Sequence, residues 1–373
     1  MDIDRTELDR LVAARGGPGG EYRVARVFEE LIEPHVDEIS WDAMGNVVAT
    51  SYGDGANEDG GDGTNENGDD EGSEEIMLAA HTDELAFLID GITDDGLCSF
   101  SMLGGHYRGY LLGQHVRVGP DAVPGVIGAK PRHFMDNEEK EALPETLHID
   151  LGARSRDEVA DLNVEPGDQA TWDRELTDLA NGRLTGRALD DRIALAILVA
   201  VARAADPDRT VHYVATVQEE VGLRGARAAV HEVDPDVAVA LEIFPTDDYP
   251  IDGERSVDVE LGSGPVVELG DGTSEYLFGG VLVDRQTLEW LKRAGESADV
   301  SLQHDLMIGG TTDATEFQSA GGGRHAGAIA VPCRYTHSPV ELIDLADAEE
   351  TADVLAAALE SPFPDRTDVR GRR

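Results

Sequence analysis

Two adjacent carboxylates, Glu219 and Glu220, follow a segment whose composition predicts a buried strand. The run Val-His-Tyr-Val-Ala at 211–215 is rich in β-branched and aromatic residues, and a predicted helix begins at Ala226. Open α/β sheets bind their ligands at the carboxyl ends of strands. A glutamate pair at such a place suits a metal ligand beside a general base, but it is also typical of a salt-bridged loop. Partners elsewhere in the chain decide between these interpretations.

Other polar residues also stand at or beside the ends of predicted elements. Asp190 and Asp191 directly precede an apolar helix, where they can simply cap it and complement its dipole. Glu242 ends the apolar strand 237–241, and an ionised group there is costly without a partner, which favours a ligand role. The complete set of these sites is His81 with Asp83, Asp190 with Asp191, Glu242, and His337.

Two histidines and several carboxylates, without a thiolate, form a donor set that suits zinc or cobalt. The number of carboxylates predicts two divalent metal ions, which can bridge a hydroxide and clamp a reacting carbonyl. Residues two apart in a strand point to the same side, so Asp83 can hydrogen-bond the far ring nitrogen of His81 and orient it. Cys98 and Cys333 are not needed as ligands.

Helical and extended patterns alternate along most of the chain and must position these residues. From 84 to 171 the pattern changes to short strands separated by Gly, Asp and Pro, which predicts a compact β insert. We therefore predict a mixed α/β catalytic domain formed by residues 1–83 and 172–373, interrupted by the insert. The segment 51–75 consists mainly of Gly, Asn and acidic residues and predicts a disordered loop.

The charge of the chain is strongly acidic, with a net value of −46 over 373 residues, and only three of its 30 basic residues are lysines. Such a surface repels nucleic acids and anionic membranes. At molar salt the Debye length falls to about 3 Å and screens the self-repulsion, so we expect a halophilic protein. Two cysteines, no apolar signal core and no run of about 18 apolar residues favour a cytoplasmic location.

In their order along the chain, these motifs resemble those of the tetrahedral aminopeptidases, a family of dinuclear metallopeptidases that includes glutamyl aminopeptidases. The stretch Thr-Val-Gln-Glu-Glu-Val-Gly at 216–222 is the most specific, and the resemblance runs from about residue 5 to about residue 360. The other matching motifs are His-Thr-Asp at 81–83, Leu-Asp-Asp-Arg at 189–192, Glu242, Gly-Gly-Thr-Thr-Asp at 309–313, and Arg-Tyr-Thr-His-Ser at 334–338.

The resemblance implies two metal sites that share one ligand. Asp190 would bridge the two ions, with Asp191 as the alternative. The remaining ligands would be His81 and Glu242 at one ion, and Glu220 and His337 at the other. Glu219 would be the general base that deprotonates the bridging water and passes the proton to the leaving amine. Asp83 would orient His81.

The same resemblance implies a fold and an activity. The fold would be a zinc-peptidase-like mixed sheet flanked by helices, with the small β insert as a barrel-like dimerisation domain. The activity would be a metal-dependent aminopeptidase that acts on short peptides, in an oligomer of dimers that assemble to a dodecamer. Near a metal site, residues 309–312 would shape the substrate pocket, and Asp313 would orient a catalytic group.

One departure from the family leaves the direction of cleavage open. Glu242 stands where most tetrahedral aminopeptidases carry aspartate, and in related dinuclear enzymes a glutamate there often accompanies carboxypeptidase or deacylase activity. A carboxypeptidase or amidohydrolase is therefore the first alternative. An endoglucanase is the second, although glycosidases need two carboxylates roughly 5 to 9.5 Å apart and typically no metal. A non-enzymatic acidic scaffold is the third.

Overall fold

The computed structural model describes residues 1–53, 74–136, 147–249 and 257–364. Most of the acidic segment 51–75, for which the sequence predicts a disordered loop, lies outside these ranges. Within them, no helix combines the length and the apolar character that crossing a bilayer requires.

Strands and helices alternate through most of the described chain, apart from one region that contains mainly strands. The strands are β1 (Glu38–Trp41), β2 (Val47–Ser51), β3 (Ile76–His81), β4 (Ala86–Ile92), β5 (Leu97–Leu103), β6 (His115–Val118), β7 (Val123–Gly128), β8 (His148–Asp150), β9 (Gln169–Trp172), β10 (Thr177–Asp178), β11 (Arg183–Gly186), β12 (Val211–Thr216), β13 (Val237–Pro245), β14 (Val266–Gly272), β15 (Gln303–Ile308), β16 (His325–Arg334) and β17 (Glu341–Asp344). The α-helices are α1 (Arg5–Ala13), α2 (Tyr22–Ile32), α3 (Arg156–Asp161), α4 (Leu189–Ala204), α5 (Arg224–Val233), α6 (Arg285–Ala298), α7 (Ala314–Ser319) and α8 (Leu345–Leu359).

An 11-stranded mixed sheet forms the body of the structure, with the main strand order β1-β2-β12-β3-β13-β16-β17-β11-β10. The four central strands, β12, β3, β13 and β16, are parallel, and the strands that flank them pair antiparallel. Strand β14 pairs with β16 and carries β15 beside it. Every residue of β3 is buried, as expected for a central parallel strand covered on both faces.

Helices cover both faces of this sheet. One face packs against α1, α2, α4, α6 and α8 in the largest apolar cluster. The opposite face packs against α5 and α7 in a second cluster. In α4, every residue from Leu189 to Ala202 is buried, which agrees with the apolar sequence of this helix on all sides. The α/β fold predicted from the sequence is therefore confirmed.

Strands β4 to β9 close into a separate six-stranded barrel in the order β4-β5-β8-β7-β6-β9. Its own apolar core contains Phe87, Ile89, Val116 and Trp172. The barrel strands begin at Ala86 and end at Trp172, one residue beyond the region 84–171 in which the sequence predicts an insert. A barrel leaves no open sheet edge, so this insert needs no further strand to complete it.

Some boundaries differ from those expected. Helix α5 begins at Arg224, two residues before the predicted start, and β14 and β15 were not expected as strands. Strand β14 contains the buried residues Glu268 and Asp271 and two glycines, so it shows neither an apolar run nor a clear alternation. Its position beside β16 depends on pairing with distant strands, which no local pattern reports.

Candidate metal centre

The central parallel strands end at one edge of the sheet, and the predicted site residues lie along this edge. His81 is the last residue of β3, whereas Glu219 and Glu220 follow the end of β12. Glu242 lies near the end of β13, and His337 follows the end of β16. This edge is where open α/β sheets bind their ligands. The fold thus brings together polar residues that are far apart in the sequence.

A first group of ligand atoms belongs to His81, Asp191 and Glu242, which are all buried, and these atoms lie within 4.8 Å of one another. Oε2 of Glu242 is 3.9 Å from Nε2 of His81. Oδ2 of Asp191 accepts a hydrogen bond from the main-chain N–H of His81 at 3.3 Å. Oδ1 of Asp191 is buried and has no hydrogen-bond partner among the described residues. Burying a carboxylate oxygen without a partner costs free energy unless a cation or a proton compensates its charge.

Asp190, Glu220 and His337 form a second group, whose ligand atoms also lie within 4.8 Å of one another. Oδ1 of Asp190 is 3.0 Å from Nε2 of His81, and Oδ2 is 3.6 Å from Nε2 of His337. The same nitrogen of His337 is 3.8 Å from Oε2 of Glu220. The carboxylate of Asp190 therefore lies between the two histidines, whereas the neighbouring Asp191 belongs to the first group only.

Asp83 contacts both His81 and the loop of the glutamate pair. Its carboxylate accepts the main-chain N–H groups of Glu219 at 3.0 Å and Glu220 at 3.1 Å. Its Oδ1 is 3.5 Å from Nδ1 of His81, and its carbonyl oxygen is 3.2 Å from the same nitrogen. Because a carbonyl oxygen only accepts, Nδ1 of His81 carries the proton, and Nε2 is left for a metal.

Burial is the largest single influence on the pKa values of the residues at this edge of the sheet. It raises the pKa of Glu219 and Glu242 well above the usual value, and neighbouring carboxylates add to the effect. Burial also raises the pKa of Glu220 to about 7. For His81, burial lowers the pKa, but hydrogen bonds to nearby carboxylates outweigh this and raise it well above the usual value. The side chains alone thus concentrate negative charge that the two histidines do not balance.

These residues fit divalent cations. The donors are imidazole nitrogens and carboxylate oxygens, one of which, on Asp191, has no partner among the described residues. A bound cation offsets the neighbouring negative charge that helps to raise the pKa of these glutamates, because it favours their ionised form. Both the chemistry of the donors and the charge of the site therefore favour metal binding.

Glu341, at the start of β17, belongs to none of the predicted motifs but accepts hydrogen bonds from two residues of the second group. Its buried carboxylate accepts the main-chain N–H of Asp190 at 3.1 Å through Oε2. Its Oε1 accepts the main-chain N–H of His337 at 3.2 Å. The only indication in the sequence is its position four residues after His337.

Glu84 is a second residue that the motifs do not include. It lies directly after Asp83 and accepts hydrogen bonds from Arg187 and, at 3.4 Å, from Arg192, and all three side chains are buried. Arg192 also donates to the carbonyl oxygen of Thr82. This cluster ties the end of β3, which carries His81, to the first turn of α4. Its excess positive charge partly offsets the carboxylates nearby.

The barrel contributes one backbone contact to the centre. The carbonyl oxygen of Gly105 is 3.2 Å from Nδ1 of His337, so this nitrogen carries the proton and Nε2 faces Asp190 and Glu220. A Cβ atom at position 105 would lie only 2.9 Å from Nδ1 of His337. A side chain there would displace the histidine, which explains why glycine occupies this position.

A cavity of about 490 Å³ opens onto these residues, and Gly309, Gly310, Thr311 and Thr312 line part of it. The predicted role of this loop in shaping the pocket is therefore consistent with its position. Asp313 instead accepts a hydrogen bond from the hydroxyl of Thr216 at 2.6 Å. It thus contacts the end of β12, the strand that leads to the glutamate pair.

The chain is similar to proteins of one family along most of its length. A family model described as M42 glutamyl aminopeptidase matches residues 63–354. The lysyl aminopeptidase of Pyrococcus furiosus is 27% identical over 370 residues, which cover 97% of this chain and 98% of that protein.

Solved structures show the same similarity. The aminopeptidase APDkam598 of Desulfurococcus kamchatkensis has a TM-score of 0.86 and 34% identity, covering 96% of this chain and 94% of that one. The TET1 peptidase of Pyrococcus horikoshii, which can assemble into a tetrahedron or a large octahedral shell, has a TM-score of 0.80 and 30% identity, covering 96% and 99%. These similarities decide the direction of cleavage that Glu242 left open. The chain belongs to the M42 glutamyl aminopeptidase family, and it is a metal-dependent aminopeptidase.

Proposed function

We propose that this aminopeptidase removes N-terminal residues from short peptides with a centre of two divalent metal ions. The observation that supports two ions is the position of Asp190, because one of its oxygens lies 3.0 Å from Nε2 of His81 and the other 3.6 Å from Nε2 of His337. Asp190 would be the shared ligand. The other ligands would be His81 and Glu242 at one ion, with Asp191 beside them, and Glu220 and His337 at the other.

Zinc or cobalt ions at these positions would supply Lewis-acid activation of the scissile carbonyl and of the attacking water. Glu219 lines the same cavity without belonging to either ligand group. Glu219 would take a proton from the water and deliver it to the leaving amine.

Asp83 has two supporting roles in this proposal. Its carbonyl oxygen, 3.2 Å from Nδ1 of His81, would keep the proton on that nitrogen and leave Nε2 for the metal. Its carboxylate, which accepts the main-chain N–H of Glu219 at 3.0 Å, would keep the general base beside the ligands. The first role agrees with the orienting function expected from the sequence, and it uses the main chain as well as the side chain.

We also infer a homo-oligomer built from dimers, with a dodecamer as the complete assembly. A related structure of the Pyrococcus TET1 peptidase is a dodecamer. The barrel, which would be the dimerisation domain, exposes the aromatic side chains of Tyr107, Tyr110 and Phe134. Exposed apolar groups of this size commonly mark protein interfaces.

The setting that we propose is a salt-rich cytoplasm. The net charge of −46 and the scarcity of lysine support this setting, because high salt screens the repulsion between acidic groups. The same charge opposes binding of nucleic acids and anionic membranes, which leaves peptides as the expected partners.

Metal titration in high salt tests the central proposal. Protein stripped by chelation is loaded with zinc or cobalt, and bound metal is measured by mass spectrometry beside cleavage of peptides with free or acetylated amino ends. We expect two ions per chain, activity that follows loading, and cleavage of the free-amino peptides only. One ion per chain at full activity would contradict the dinuclear centre. Hydrolysis of a β-glucan that survives chelation would instead support the endoglucanase alternative.

A further inference from the structure

The cavity beside the candidate metal centre has two chemically different sides. One side consists of the ligands and Glu219. The other side carries an apolar wall, which we define as Leu223, Ile243, Pro245, Met307 and Ile308. The cavity volume of about 490 Å³ lies within the usual range of roughly 300 to 1,000 Å³ for small-molecule sites. It therefore has room for an amino-acid side chain as well as for the reacting amide.

The described residues that line this cavity offer no partner for an ionised side chain. Among the described residues that line it, none is lysine or arginine, and every carboxylate is either a proposed ligand or Glu219. The arginine that is nearest in sequence to His337 is Arg334, which pairs with Asp248. Arg224, next to Leu223, donates to the side-chain oxygen of Gln218 at 3.3 Å.

Burial, strand pairing and hydrogen bonds hold the apolar wall in place. Leu223 and Ile243 are buried, and Met307 and Ile308 end strand β15, which pairs with β14. Four residues after Ile308, Thr312 donates its main-chain N–H at 2.7 Å and its hydroxyl at 2.9 Å to the buried carboxylate of Asp271. Gly272 in turn pairs with Gly310 across an isolated bridge. The shape of the wall is thus formed before substrate arrives, which lowers the entropic cost of binding.

From this geometry we infer the substrate class: the apolar wall receives the side chain of the N-terminal residue and selects uncharged apolar residues over acidic and basic ones. The inference rests on the proposed aminopeptidase site, because that site places the N-terminal residue in this cavity. Among the described lining residues, an acidic side chain entering here would lose its hydration without gaining a cation, and a basic one would find no carboxylate free of a metal. An apolar side chain gains from the burial of each methylene group.

The selectivity is expected to be large against charge and moderate against size. We expect kcat/KM for leucine to exceed that for glutamate and for lysine by roughly 100-fold, because an unpaired charge must be desolvated. We expect leucine to exceed alanine by roughly 10-fold or more, because fewer methylene groups are buried for alanine. A wall that did not select among side chains would give kcat/KM ratios near one.

The test is a panel of aminoacyl amides with a chromogenic leaving group, assayed with the metal-loaded full-length protein in high salt. A higher kcat/KM for leucine, methionine and phenylalanine than for glutamate and lysine supports the inference. Glutamate or lysine as the best substrate overturns the inference while leaving the aminopeptidase intact. Cleavage of none of the free-amino substrates overturns the proposed function itself, and the inference with it. These failures are distinct because the last one is a loss of all activity.

A pair of variants connects the selectivity to the wall. Ile308 is 59% exposed, so Ile308→Lys adds a cation at the cavity without removing a core side chain. We expect the ratio of kcat/KM for leucine over glutamate to fall by roughly 10-fold or more in this variant. The matched control is Leu282→Lys, at a position that is 66% exposed and does not line the cavity. An equal change of the ratio in both variants, or no change in Ile308→Lys, overturns the assignment of the wall.

A binding measurement separates recognition from catalysis. Glu219→Gln protein loaded with metal is titrated with L-leucine, L-glutamate and L-lysine by calorimetry. Tighter binding of leucine than of the other two supports recognition by the wall. Equal or tighter binding of glutamate or lysine overturns it, whatever the kinetic panel shows.

Discussion

Oε2 of Glu341 accepts a hydrogen bond from the main-chain N–H of Asp190 at 3.1 Å, which holds the proposed shared ligand in place at the second residue of α4. The other oxygen of this carboxylate accepts the main-chain N–H of His337 at 3.2 Å. One buried side chain therefore supports ligands from two distant segments.

Replacement of Glu341 by glutamine tests this support. An amide has one oxygen and one NH₂ group, so Glu341→Gln leaves one of the two main-chain N–H groups without an acceptor. We expect metal affinity to fall by roughly 10- to 100-fold, as for other residues that hold metal ligands in place. Calorimetric titration with zinc measures this effect, and Glu360→Gln, at an exposed position, is the matched control. Unchanged affinity in Glu341→Gln would show that other contacts suffice to hold the two ligands.

Loss of Asp190 and loss of His337 should differ in metal stoichiometry. Asp190→Asn weakens both proposed sites, because its carboxylate faces both histidines. His337→Ala removes a ligand from one group only. After dialysis against a limiting metal concentration, we expect bound metal to approach zero per chain in Asp190→Asn and one per chain in His337→Ala. His304→Ala, at an exposed position outside the site, should retain two. Identical losses in the first two variants would argue against a shared ligand.

Glu219→Gln should separate chemistry from metal binding. The glutamine keeps the size of the side chain but cannot take a proton, so kcat is expected to fall by roughly 100- to 10,000-fold. The metal content should stay that of the unmodified protein, because Glu219 belongs to neither ligand group. Glu232→Gln, on the exposed surface of α5, controls for the loss of one charge. Substantial activity in Glu219→Gln would mean that another group serves as the base.

His106 should make the barrel sensitive to acid. Its ring packs on Phe87 with the ring centroids 4.5 Å apart, and burial lowers its pKa to about 4. The unfolded chain titrates near the ordinary value of 6.5, so between these values the unfolded state binds a proton that the folded state does not. The free energy of unfolding should therefore decrease as the pH falls from about 6.5 to about 4.

Denaturant unfolding at constant high salt measures the effect of His106. Between pH 7 and pH 5, the unmodified protein should lose about 2 kcal/mol more than His106→Gln, which cannot take up the proton. His304→Gln, which removes an exposed histidine, is the matched control. Parallel curves for His106→Gln and the unmodified protein would contradict a buried neutral imidazole.

Salt should stabilise the folded chain strongly. Acidic residues outnumber basic ones by 76 to 30, so the folded state concentrates like charges that an expanded chain separates. Raising KCl from 0.1 M to 2 M shortens the Debye length from about 10 Å to below 3 Å, and we expect the thermal midpoint to rise with it. An uncharged osmolyte at equal osmolarity is the control. A rise as large with the osmolyte as with KCl would assign the effect to excluded volume or hydration instead of screening.

The sequence alone singled out the residues that are proposed to take part in the chemistry. Carboxylates and histidines that follow apolar strands are unusual enough to be noticed one by one, and the parallel arrangement of such strands puts their carboxyl ends at one edge. The barrel insert and the α/β alternation were also visible, because the period of apolar residues differs between strands and helices. These features depend on neighbouring positions in the chain.

Only the tertiary structure shows how these residues are arranged relative to one another. Asp190 and Asp191 are adjacent and chemically identical, yet the backbone directs the first between the histidines and the second toward Glu242. The supporting contacts of Glu341 and Gly105 join segments that are distant in sequence. No local pattern reports such contacts, because orientation within a few ångströms depends on how the sheet, the first turn of α4 and the barrel pack together.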